Sequence, residues 1–179
     1  MEVVEWHKIT TAIHSFAIWL VGLVGLGAEF ASYVYIVLVS MVPLIELRGA
    51  IPLAMALKMP LVPSFIVSII GNLVPIPFIL LLIKKICAWL KTTKHLSKIP
   101  LYLEKKVEKN KDKVTKYAKW GLFLFVAIPL PGTGAWSGAL IASFLDFKFK
   151  DAMIAITGGV ITAGIIMSIF SYGLLGLIF

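Results

Sequence analysis

Two charged residues, Glu46 and Arg48, stand inside an apolar stretch spanning residues 30–57. An ionisable side chain at membrane depth is costly, so it marks an ion or substrate path unless it only neutralises a neighbour. The Glu46 carboxylate suits a proton carrier or a cation ligand. Arg48 is the only arginine in the chain, and its planar fork of donors matches a phosphate. A structural reading stands beside this one, in which the two charges compensate each other. No nucleophile–histidine–acid set, phosphate-binding glycine loop or Cys/His cluster accompanies the pair. Cys87 is the only cysteine, and His7, His14 and His95 are scattered. The expected chemistry is therefore transport driven by a proton or sodium gradient, with no enzymatic activity, metal or cofactor.

Glu46 and Arg48 lie in VPLIELRGAIP (42–52), where helix-breaking residues interrupt an apolar region. A second break, IPLPGTGAW (128–136), interrupts the region 120–145. In hydrocarbon a broken backbone is tolerated only where protein buries it or water reaches it. Trp120–Leu130 would rise about 16 Å as a helix, half the hydrocarbon thickness, and Gly134–Leu145 is of similar length. Each region thus reads as a re-entrant hairpin that turns near mid-membrane. Each returning half-helix would begin there, with free N–H groups and the positive dipole end directed inward. Pro52 is expected in the first turn of its half-helix, where a missing N–H costs nothing. The candidate substrate and ion site comprises Glu46, Arg48 and Gly49 from one tip and Pro131, Gly132, Thr133, Gly134 and Trp136 from the other. Asn72 is added as a cavity-lining or capping residue. Gly134, Gly138 and Ala142 form a small-residue stripe suited to close helix packing. Asp146 and Asp151 flank a turn, Asp151 at or near the start of the next helix.

The rest of the chain must hold these breaks in a membrane. Of 179 residues, 60% are hydrophobic and 15% charged, with a mean hydropathy of +0.98. Apolar regions recur at roughly 9–28, 30–57, 61–83, 120–145 and 152–178, so no cleavable leader sits on a soluble body. The net charge is +8, and twelve of the seventeen basic residues fall between Lys84 and Lys119, against three acids. Beside apolar spans this is a cytoplasmic loop facing anionic lipid headgroups, not a nucleic-acid surface. Lysine placement gives the two halves opposite orientation, and Pro43-Leu44, Gly49-Ala50 and Gly71 recur at offsets of 85 to 87. The expected fold is an all-α, multi-pass protein of the plasma membrane, one domain over 1–179. It has inverted repeats at 30–90 and 120–179 joined by a basic, amphipathic helical linker at 91–119. Whether 9–28 crosses the bilayer or lies on it is left open by the sequence.

The segments PLIELRGAIPLA (43–54) and IPLPGTGAWSGALIASFL (128–145) resemble the small multidrug export proteins, distant relatives of the DedA/VTT membrane proteins. The resemblance covers about 30–170 and implies two oppositely oriented re-entrant hairpins. The DedA relatives move polyprenyl-phosphate-type lipids with ion gradients, and their first-motif acid corresponds to Glu46. Their second motif carries arginines around its Pro-Gly, where this chain has Ile128 and Gly134. The leading expectation is an ion-coupled flippase for an anionic amphiphile, a lipid phosphate, with membrane lipids as partners and a homodimer compatible with the size. The alternative is proton-coupled export of small hydrophobic cations. A third reading is a membrane scaffold whose breaks only serve packing.

Overall fold

The computed structural model describes residues 2–24, 28–82, 111–130, 132–145 and 147–174, which form helices and turns with no strand among them. Helix α1 is Glu2–Val24, α2 is Ala28–Met41, α3 is Glu46–Ala56 and α4 is Leu61–Leu82. Then follow α5 at Lys111–Ala127, α6 at Ala135–Phe144 and α7 at Phe149–Ser168, which continues as a π-helical segment, Ile169–Leu174. Cys87, Pro131, Asp146 and the linker as far as residue 110 lie outside the described residues. The end of the basic linker and the apolar stretch that follows it are one continuous helix, α5.

Four of these helices contrast in length: two are long and apolar, two short. The apolar helix α4 has 22 residues, and α7 with its π-helical extension to Gly173 has 25, enough to cross a bilayer. The eleven residues of α3 and ten of α6 rise only about 16 and 15 Å, roughly half a hydrocarbon core. Both short helices follow the sequence breaks.

Contacts gather the chain into two compact units, Met1–Asn72 with Gly164–Phe179, and Leu73–Ala163. In the first, α1, α2 and α3 pack around Ala17, Tyr35, Ile36, Val39, Ala50, Ala54 and Met59. The His14 and Tyr35 rings meet edge to face, with centroids 5.0 Å apart. Gly71 of α4 brings that helix onto the α2 backbone. A Cβ there would strike the Val37 carbonyl oxygen and stand 2.9 Å from Ser40 Cβ.

The second unit repeats the device with α7 against α5. A Cβ on Gly159 would stand 2.7 Å from Val126 Cβ and 2.9 Å from the Phe123 carbonyl oxygen. Gly138 of α6 packs on Val126 and Ile156, and Gly134, Gly138 and Ala142 are all buried, so the small-residue stripe serves close packing. At the start of α7, Asp151 pairs with Lys119 at 2.7 Å. The lysine side chain is half exposed, so solvent screens the pair. A double-mutant cycle on Lys119→Ala and Asp151→Ala should give a coupling of at most about 1 kcal/mol, fading in high salt. It is read from chemical unfolding in detergent.

Burial along α4 identifies its solvent. Its buried residues through Leu73 are Ser64, Ser68, Gly71 and Asn72, while Val62, Ile66, Ile70 and Phe78 are exposed. Only a third of its apolar window is buried. Water would select the reverse pattern, whereas a hydrocarbon surround accepts apolar side chains outside and polar ones within.

Candidate functional site

The first break is a tight turn. Helix α2 ends at Met41, Val42–Ile45 form the turn, and α3 starts at Glu46. Leu44 (φ 76°) and Glu46 (φ 50°) both take the left-handed conformation, which costs a residue with a Cβ about 1–2 kcal/mol. Such strain persists only where surrounding structure enforces it. The enforcement is visible: the Val42 N–H donates to Val39 O (3.1 Å), that of Glu46 to Val42 O (3.1 Å) and that of Gly49 to Ile45 O (3.0 Å). Helix α3 starts at Glu46, whose N–H is taken by Val42 O, and the Gly49 N–H makes the first i→i−4 bond of the helix, to Ile45 O. Gly49 is also tightly seated, since a Cβ there would meet Ile45 Cγ2 at 2.5 Å.

Glu46 is 5% exposed, and Arg48 is partly buried and interacts with it electrostatically. The acid is therefore withdrawn into the unit, while the base retains access to the surroundings. Pro52 departs from expectation. Because α3 begins at Glu46, Pro52 lies inside the helix rather than in its first turn, and it cannot donate to the Arg48 carbonyl.

The second break is built differently. Between α5 and α6, Gly132 takes φ 81°, a left-handed turn that glycine adopts without penalty. Gly134 caps α6 through its backbone alone, with no side-chain cap bond. The Thr133 hydroxyl points backward, shared between Ile128 O (2.8 Å) and Leu130 O (2.9 Å). It closes the exit from α5 rather than opening toward a ligand. Trp136 stands half-buried in the first turn of α6.

Glu46, Arg48, Gly49 and Asn72 therefore belong to the first unit, and Gly132, Thr133, Gly134 and Trp136 to the second. Sequence reasoning passed over Ser68, Ser168 and Ser171. All three are buried and, like both polar atoms of the Asn72 amide, make no hydrogen bond among the described residues. The pattern Ser64-x3-Ser68-x3-Asn72 in an apolar helix was the available signal, because a spacing of four aligns side chains on one face.

Residues 46–166, well over half of the chain, match a family model described as "Putative small multi-drug export protein". The matched span contains Glu46, both short helices and most of α7. No curated protein and no solved structure matches the chain.

Proposed function

This chain belongs to the small multi-drug export protein family, and from that premise we propose that it is a proton-coupled membrane exporter of small hydrophobic cations. The observation that carries this reading is Glu46, a buried acid on a strained backbone at the start of a half-length helix. Within a membrane such a group is a functional site by default, and one carboxylate can hold either a cation or a proton. Exchange between the two couples export to a proton gradient. Arg48 tempers the acid while the site is empty.

In this reading α2–α3 and α5–α6 are re-entrant hairpins of an internal, inverted repeat. Half-length helices after each break support it, as does the shared packing: Gly71 on Val37 and Ser40 in one unit, Gly159 on Phe123 and Val126 in the other. The basic tract would face the cytoplasm, placing the protein in the plasma membrane.

Arg48 favours a second reading, transport of a lipid phosphate, because it is the only arginine and stands partly exposed at the same tip. The Glu46 N–H is already bonded to Val42 O, which leaves an anion at this tip one donor fewer. Purified protein in liposomes separates the two, assayed with a lipophilic cation and with a polyprenyl phosphate under an imposed pH gradient. Export of cations predicts that Arg48→Ala retains most of the cation flux. Movement of the phosphate lipid alone, lost in Arg48→Ala, would replace the proposal.

A further inference from the structure

We propose that the first unit contains a water-filled track along the buried face of α4, which brings water, and through it protons, to the hairpin turn that carries Glu46. The track starts near the Lys58 turn, where the Tyr172 hydroxyl reaches both Met59 O and Ser64 Oγ at 3.0 Å. From Ser64 it runs through Ser68 to Asn72, about 12 Å along the helix. The facing element is the end of α7. Gly164 packs on Phe65 and Ile69, whereas Tyr172, eight residues on, reaches Ser64 and Met59, so this end of α7 runs against the direction of α4, with Ser168 midway between the two contacts in sequence. Ser171 follows in the π-helical segment, a form frequent at functional sites.

The hydroxyl pattern shows that these groups are directed elsewhere. A helical serine or threonine can always donate to the carbonyl four residues back. Ser40, Ser64, Ser143 and Thr162 do so, at 2.7 to 2.9 Å. Ser68, Ser168 and Ser171 do not, and both ends of the Asn72 amide are also without a partner among the described residues. Each is less than a tenth exposed. Unmet polar groups in a dry interior are expensive, and a buried water bonds to two to four of them. The set fits water better than a bare cation. Serine hydroxyls both donate and accept, and the Asn72 Nδ2 needs an acceptor that a cation does not offer.

Two further facts give the track a direction. Gly71, beside Asn72, is pressed against Val37 and Ser40, and the turn leading to Glu46 starts two residues after Ser40. The matching face of α7, at the offset of 88 that relates Gly71 to Gly159, carries Ala152, Ile156 and Val160, all buried. The second half shares the packing glycines but lacks the Ser-Ser-Asn face, so that face is not a by-product of close packing. An excess proton would pass along the hydrogen-bonded waters and end on the Glu46 carboxylate, forming the acid and leaving the waters unchanged. This proton step rests on Glu46 being the coupling group, whereas the track itself does not.

The test places single cysteines at Ser68, Asn72 and Ser171 of the full chain in a Cys87→Ser background, with Ile70→Cys as the lipid-facing control. Methyl methanethiosulfonate is small and enters both water and lipid, but it reacts only with a thiolate, which forms only where water is present. Track cysteines should react at least about tenfold faster than Cys at position 70. Ser68→Cys is nearly isosteric and keeps the test available if another variant fails to fold. Rates equal to the control would overturn the track. Protection by sodium but not by choline would show a cation site in place of water, and would overturn it too. Asn72→Leu should then slow proton uptake in cation-loaded liposomes by at least about tenfold, by drying the end of the track. Unchanged uptake beside fast labelling would remove the proton role. If the wild-type protein moves no protons, the export proposal fails, and labelling still decides the track.

Discussion

Replacing Glu46 by glutamine should abolish pH-gradient-driven export of a lipophilic cation, reducing flux in liposomes to that of protein-free vesicles. The substitution keeps the size of the side chain and its ability to hydrogen-bond, so the strained turn at Leu44–Glu46 should survive. What disappears is the charge that holds a cation and the site that takes up a proton. Arg48 should then stand beside a neutral neighbour, in a location already partly removed from solvent. Binding should fall together with transport, because the same carboxylate serves both. A Glu46→Gln protein that folds normally and still exports against the gradient would refute the assignment. Glu46→Asp separates charge from reach: it retains the carboxylate on a side chain one methylene shorter. Partial activity is expected from it.

The second large effect is on stability. Gly71→Val should lower the yield of folded protein sharply and cost at least about 1–3 kcal/mol, the range for overpacking a close contact. The obstacle is the Val37 carbonyl oxygen, part of the α2 backbone, which cannot rotate away as a side chain would. Helix α4 would have to move off α2, disturbing the turn that carries Glu46. Gly159→Val should behave alike, because it meets the Phe123 carbonyl oxygen. Gly121 supplies the control, since nothing lies within 4 Å of a Cβ there. Gly121→Ala should be neutral or stabilising by up to about 1 kcal/mol, through helix propensity alone. Thermal unfolding of the four proteins in one detergent gives the ranking. Equal midpoints for Gly71→Val and Gly121→Ala would show that the close approach is not needed.

Much of this architecture was legible in the residues because hydrocarbon imposes simple rules. Long apolar runs became α4 and α7, since a bilayer needs about twenty such residues. Clustered prolines and glycines placed both breaks, because a helix cannot absorb them at no cost. Glu46 and Arg48 stood out for their charge in apolar company. The Gly134–Gly138–Ala142 stripe was readable from its spacing and packs as expected. Where α3 begins was not legible. Its first residue is Glu46 because the turn forces two non-glycine residues into left-handed conformations, and this moved Pro52 into the helix interior.

The sequence by itself determined an all-helical membrane protein with two interrupted apolar regions and an acid–base pair in one of them. These follow from composition and order, which act locally and against a uniform solvent. Only the tertiary structure decided what each polar atom meets. It turned the Thr133 hydroxyl back to the carbonyls of its own loop, bonded the Glu46 N–H within the turn, and left Ser68, Asn72, Ser168 and Ser171 without partners among the described residues. Hydrogen bonds depend on directions and distances of a few tenths of an ångström between groups often far apart in the chain. Periodicity names the face on which a side chain stands, whereas its partner is chosen by the packing of helices.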